Sequence, residues 1–229
     1  MAENAKHFVY LYPQKALDEC KFNDFWRIKH ETEEEIDIFM MNMKKVYMFL
    51  ANGFEDVEAL IPLDVLRRGG VDVKTVSITG SLVAESAHGV RVEADLMFET
   101  ADVEDADLLM LPGGMPGASN LNDHEGVKEA LLAQAQAGKL VSAICAAPLV
   151  LGGLGLLKGK RATCYPGFEE TLTGAEYTAE LVTVDGNIVT GEGPAAAFPY
   201  AYTLLAMLTD EQTARGVAEG MRYVHLMEG

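Results

Sequence analysis

The chain has 229 residues, 49 % hydrophobic and 23 % charged, a composition suited to one large or two small globular domains. A formal net charge of -17, with no Lys/Arg cluster to offset it, repels polyphosphate and anionic membrane surfaces and argues against nucleic-acid or membrane partners. Three widely spaced cysteines, Cys20, Cys145 and Cys164, make no disulfide framework and point to a reducing, cytoplasmic setting.

Residues 1–42 differ from the rest. They hold the only tryptophan, Trp26, carry 5 basic and 9 acidic residues, and end in an acidic run from Glu31 to Asp37. Apolar residues such as Phe8, Leu11, Phe22, Phe25, Ile28 and Phe39 argue against simple disorder. Two readings stay open: an N-terminal arm that packs through Phe22, Phe25 and Trp26, or a segment upstream of a natural start at Met43. No basic region is followed by an apolar run, so no secretory signal is expected. Residues 43–229 read as the folded domain.

From Val46 onward strands and helices alternate. Val46–Ala51 reads as a strand and Glu55–Arg68 as a helix, acidic in its first turn, with Pro62 expected to kink it. Val71–Thr79, Val90–Ala94 and Leu108–Leu111 read as strands, the last running into the tight loop Pro112-Gly-Gly-Met-Pro-Gly117. A helix is expected over 123–137, capped by Asp123 and stopped at Gly138, then a strand over Leu140–Ile144. Lys160–Cys164 and Leu181–Val184 follow as strands, with Asp185-Gly186 turning into Ile188–Thr190. Pro194 opens a helix to Leu208, and Asp210 caps another to about Arg222. Such alternation predicts an α/β fold, a mostly parallel sheet flanked by helices on both faces, with the ligand site at the carboxyl ends of the strands. The 18 uncharged residues Leu140 to Leu157 reach the lower edge of membrane-span length, but Pro148 and three glycines break them, as in a central strand and a buried helix.

Cys145 is the residue with most chemistry in its setting. It follows a buried strand and precedes Ala146-Ala147-Pro148, so it lies at a strand-to-helix corner, where free N–H groups favour a thiolate. Its small neighbours suit the sharp turn of a nucleophile elbow. The alternative is one more buried, inert cysteine. Gly152-Gly-Leu-Gly155 follows no strand and is not a dinucleotide fingerprint; no P-loop and no zinc-ligand spacing occur, so no metal and no cofactor are expected.

Several segments occur together in a known order: Asn52-Gly-Phe-Glu-Asp-Val-Glu58-Ala-Leu-Ile-Pro62, Leu111-Pro-Gly-Gly114, Ala143-Ile-Cys145-Ala-Ala-Pro148, Ala162-Thr-Cys-Tyr-Pro-Gly167 and Gly191-Glu-Gly-Pro194. In this the chain resembles the ThiJ/PfpI superfamily and its DJ-one (YajL-like) branch, over about residues 43–229, with a flavodoxin-like, amidotransferase-like sandwich implied. The resemblance implies Cys145 as nucleophile and Glu58 as the carboxyl beside it. It also implies the backbone N–H groups of Gly114 and Ala146, with Gly113 alongside, as oxyanion or substrate donors. A carboxylate next to a thiolate is like-charge repulsion, so Glu58 should hold a proton and the pair should titrate as a unit. The chain also departs from its relatives. Residue 146 is alanine and the one histidine after Cys145 is His225, which leaves a Cys-His hydrolytic dyad without its second member. Tyr165 stands where some members carry a histidine; its phenol can donate a hydrogen bond but is a poor base. Glu192 stands where a basic residue is common, and His88 falls at a position often basic, as a possible accessory group.

Three functions follow. The first is a cofactor-free glyoxalase or deglycase acting on 2-oxoaldehydes such as methylglyoxal, or on glycated adducts. The second is an oxidative-stress sensor or redox-regulated chaperone working by oxidation of Cys145. The third, disfavoured by the missing histidine, is a protease-like hydrolase. The resemblance also implies a homodimer.

Overall fold

The computed structural model describes residues 43–228. The expectations that rest on residues 1–42, Cys20 and Trp26 among them, lie outside the described residues.

Eleven strands are present among the described residues: β1 (Lys45–Leu50), β2 (Asp72–Ser77), β3 (Val83–Glu85), β4 (Arg91–Glu93), β5 (Leu96–Met97), β6 (Leu108–Leu111), β7 (Leu140–Ile144), β8 (Arg161–Ala162), β9 (Glu176–Tyr177), β10 (Val182–Asp185) and β11 (Ile188–Gly191). The helices are α1 (Asp56–Arg68), α2 (Gly117–Asp123), α3 (Glu125–Gln136), α4 (Pro148–Gly153), α5 (Ala197–Leu208), α6 (Glu211–Gly220) and α7 (Tyr223–Glu228). Seven strands form the central sheet in the order β10-β11-β7-β6-β1-β2-β5. All pairings are parallel except the edge pair β10–β11, joined by the Asp185-Gly186 turn. The expected α/β fold, a mostly parallel sheet flanked by helices, is what the chain adopts.

The central strands β1, β6, β7 and β11 read as near-continuous apolar runs because helices cover both of their faces, and their burial follows suit. Phe49, Leu50, Leu108, Leu109 and Leu111 are each at most 1 % exposed, and burial of such side chains stabilises by about 1.5–3 kcal/mol apiece. Helix α1 packs against α5, while α2 packs against α3 and α4.

Local chemistry accounts for most element ends. Glu55 caps α1 by accepting the Glu58 N–H at 2.9 Å, and Asp210 caps α6 by accepting the Thr213 N–H at 2.8 Å. Helix α1 runs unbroken through Pro62. Four expectations need correction. The segment 117–137 makes two helices, because Asp123 closes α2 and the imidazole of His124, accepting from the Val127 N–H, caps α3 in place of Asp123. The Lys160–Cys164 strand shrinks to β8, which pairs only with β9 outside the main sheet. The helix expected from Pro194 starts as a 3-10 turn, Pro194–Ala196, before α5. Helix α6 stops at Gly220, ahead of the positive φ of Arg222, and α7 follows. Among the described residues no helix is long and apolar enough to cross a membrane.

Candidate active site

In an open parallel sheet the chain leaves neighbouring strands in opposite directions at one point, and the crevice there is open to ligands. Here β1 lies between β2 and β6, so the loops after β1 and β6 meet beside the corner after β7. The first loop leads to Glu58, the second carries Gly113 and Gly114, and the third is Cys145 itself.

Cys145 has φ 65°, a left-handed backbone that side chains other than glycine rarely adopt. Strain of this kind costs of order 1–3 kcal/mol and persists only where the surroundings fix it. They do so through both peptide groups of the residue. Its N–H donates to the Gly191 carbonyl at 2.9 Å, and its carbonyl accepts the Tyr165 N–H at 2.9 Å. The turn lifts the sulfur toward the crevice while leaving it only 8 % exposed.

Glu58 is fully buried. Its Oε2 accepts the Gly113 N–H at 3.1 Å, and its carboxyl interacts with the Cys145 thiol. Burial raises its pKa to about 7, and the charge of Glu55 adds to the rise; the contacts with Cys145 and the Gly113 amide oppose it. The Cys145 thiol is pushed up to about 12, first by burial, then by the charge of Glu58 and the hydrogen bond with it. The amides of Gly114 and Ala146 pull the other way. Two of the three raising causes belong to an ionised Glu58, so moving its proton off the thiol and onto the carboxyl removes them. The direction we assign is therefore joint: the pair holds one proton well into the neutral range and shares it. The expectation of a thiolate favoured at a helix N-terminus is corrected in two respects. Helix α4 starts at Pro148, three residues on, and burial outweighs the local amides.

The tight loop has a steric reason. A Cβ at Gly113 would stand 2.6 Å from both Cys145 Cβ and Glu58 Oε2, and 2.7 Å from the Ile144 carbonyl. Gly114 adopts φ 86°, and a Cβ there would meet the Glu55 backbone nitrogen at 2.4 Å. The structure thus brings Cys145, Glu58, Gly113, Gly114 and Ala146 together.

The accessory residues stand apart. Tyr165 is tied to Cys145 by its backbone, while its side chain is exposed and its ring edge lies over Gly193. His88 lies in the turn between β3 and β4, which is sewn to the β1–α1 loop by the bond from the Ala87 N–H to the Phe54 carbonyl. Its Nδ1 pairs with Asp56 Oδ2 at 2.6 Å, an interaction that raises the imidazole pKa. Asp56 also accepts from the Ser86 hydroxyl at 2.7 Å, so His88 is engaged at the helix start rather than at the sulfur. Cys164 is buried, and burial, with the charges of Glu169 and Glu192, pushes it up to about 11, leaving it a packed thiol. Sequence reasoning missed Gly191, which holds the nucleophile by its carbonyl, and Glu55, which both caps α1 and acts on Glu58. An acidic residue three positions before Glu58 was the available signal for the second.

The profile of the DJ-1/PfpI family matches residues 44–207. The chain belongs to that family. A relative called protein DJ-1 homolog B, from Arabidopsis thaliana, is 40 % identical over 175 residues, covering 75 % of this chain and 40 % of its own length. The chain thus spans less than half of that plant relative. A Pyrococcus horikoshii protein named a deglycase is 34 % identical over 168 residues, 72 % of this chain and 99 % of its own length. The crystal structure of a cysteine-to-alanine mutant of a DJ-1 superfamily protein from Salmonella typhimurium superposes with a TM-score of 0.74 at 37 % identity, covering 78 % of this chain and 98 % of that one.

Proposed function

We propose that the protein is a cysteine-dependent, cofactor-free enzyme of the glyoxalase/deglycase type, acting on 2-oxoaldehydes such as methylglyoxal or on the adducts they form. The observation that carries this reading is the buried Glu58 carboxyl facing the strained Cys145, with a pKa raised to about 7. A group that titrates there can give and take a proton at neutral pH. The name of the archaeal relative supports the same class. Of the three described histidines, His88 pairs with Asp56, His124 caps α3 and His225 is exposed on the last helix, α7, so none is engaged with Cys145 as a hydrolytic base.

In the reactive form the proton sits on Glu58 and the charge on sulfur. The thiolate adds to the aldehyde carbon; a C–S bond forms, the carbonyl π bond breaks, and the new oxyanion takes the proton of Glu58. The amides of Gly114 and Ala146 already point at the sulfur and can share that charge. The Glu58 carboxylate then removes the hydrogen of the hemithioacetal carbon as the neighbouring carbonyl oxygen gains a proton, giving an enediol. A proton is returned to the second carbon as the first hydroxyl loses its own, which leaves a thioester. The first carbon is oxidised and the second reduced, so no outside redox partner is needed. Water cleaves the resulting thioester, releasing the 2-hydroxy acid and restoring the thiol. The proposed partners are therefore small aldehydes or glycated adducts, with the chain acting as a cytoplasmic homodimer.

The test is lactate release from methylglyoxal without glutathione, comparing the wild type with Cys145→Ala and Glu58→Gln. Turnover lost in both variants supports the reading, and no turnover in the wild type overturns it. One observation favours a second reading. The two amides that would bind an oxyanion would equally hold the oxygens of an oxidised sulfur, as in a peroxide sensor.

A further inference from the structure

Behind the pair lies a set of polar atoms that this chemistry does not use. Tyr200 of α5 is fully buried. A Cβ on Gly191 would stand 2.8 Å from Ile144 Cγ1 and 3.1 Å from Tyr200 Cδ2, so the tyrosine ring lies against the backbone unit that holds the Cys145 N–H. Gly191 and Ile144 are register partners, and Ser142, two residues before Ile144, faces the same side of the sheet. That side is covered by α5, on which α1 packs. Glu58, Ser142 and Tyr200 therefore converge from a helix, a strand and a second helix.

Three atoms in this region, Glu58 Oε1, Ser142 Oγ and Tyr200 Oη, are buried, and apart from the contact between the two hydroxyls they have no hydrogen-bond partner among the described residues. The two hydroxyls are close enough to act on one another, and Tyr200 also feels the charge of Glu58. A buried polar group short of hydrogen-bond partners is destabilising, and native interiors seldom leave three together. Three convergent polar atoms are the partners an internal water needs.

We propose that Tyr200 and Ser142 bind a water molecule against Glu58 Oε1, in a donor chain that runs from the serine through the tyrosine and the water to the carboxylate. Tyr200 is then a positioning residue for the proton shared by Glu58 and Cys145. The direction of the chain follows from its ends. Burial pushes the Tyr200 phenol far up, so it stays a donor, and Glu58 is the acidic group it faces. The other groups acting on Glu58 are Glu55, Cys145 and the Gly113 amide. A donor chain favours ionised Glu58 and so holds the proton on sulfur; removing it moves the proton toward the carboxyl and enlarges the thiolate fraction. The inference concerns the proton, and it stands whichever substrate the sulfur attacks.

The experiment is alkylation of Cys145 by iodoacetamide in the full chain, followed on the Cys145 peptide by mass spectrometry across a pH range spanning the Glu58 titration at about 7. Tyr200→Phe keeps the ring on Gly191 and removes the donor. Alkylation is expected to be about three- to tenfold faster than in the wild type above that titration, and unchanged well below it. In a Glu58→Gln background the same substitution should change nothing. A rate ratio that does not vary with pH, or an effect that persists without Glu58, overturns the proposal. Should Tyr200→Phe fail to fold, Ser142→Ala carries the same test, with a smaller gain in the same direction; its profile matching the wild type overturns the proposal equally.

Discussion

Gly113 donates its backbone N–H to Glu58 at 3.1 Å, and it has no side chain because one would strike that same carboxyl. The residue binds Glu58 only by staying bare. Gly113→Ala forces Cys145, Glu58 or the loop to move, and overpacking of this kind costs about 1–3 kcal/mol. We expect a lower Tm, and alkylation of Cys145 altered at least about tenfold, since the amide that meets Glu58 shifts with the loop. Calorimetry and thiol labelling check the two separately.

The raised Glu58 pKa makes stability depend on pH. Between its ordinary value of 4.5 and about 7 the folded protein binds more protons at this site than the unfolded chain. The contribution is fully present below 4.5 and is lost as pH rises through about 7, amounting to about 3 kcal/mol. Glu58→Gln abolishes that slope. Urea titrations at several pH values should show the variant gaining on the wild type as pH rises across this window; parallel curves would refute the assignment.

Glu55 acts on Glu58 in two separable ways, through its cap and through its charge. Glu55→Gln keeps a carbonyl acceptor for the Glu58 N–H and removes the charge. Glu58 should then ionise more readily, and Cys145 alkylation above its titration should slow by about twofold, opposite in sign to Tyr200→Phe. Glu55→Ala loses the cap as well and should cost about 1 kcal/mol in addition.

His88 is engaged by Asp56 at an exposed position, and the Tyr165 side chain is exposed while its backbone serves Cys145. His88→Ala and Tyr165→Phe should therefore leave turnover of methylglyoxal within about twofold of the wild type. A loss beyond about tenfold in either variant would give that side chain a role in the chemistry.

The alternation of strands and helices, and the corner at Cys145, are legible because each is local: an apolar run, then small residues, then proline. Helix α2 is not legible in the sequence because Gly117-Ala-Ser-Asn-Leu-Asn-Asp123 has few helix formers and only Leu121 as a large apolar anchor. The balance of the thiol escapes the sequence for a related reason. The amides near Cys145 are neighbours in sequence or motif, whereas the burial that opposes them comes from the whole fold. Tyr200 reads as one apolar position of a helix, and its approach to Glu58 exists only once α1 and α5 lie side by side.

The two backbone bonds of Cys145 carry a consequence for how this site can change. They run to Gly191 and Tyr165 through peptide groups alone, so the attitude of the corner is independent of the side chain at 165 and of the reactive atom at 145. A serine or selenocysteine placed there would be held out at the same angle toward the same amides. The scaffold therefore separates where a nucleophile stands from what it is, and new chemistry can be installed at the corner without rebuilding its support.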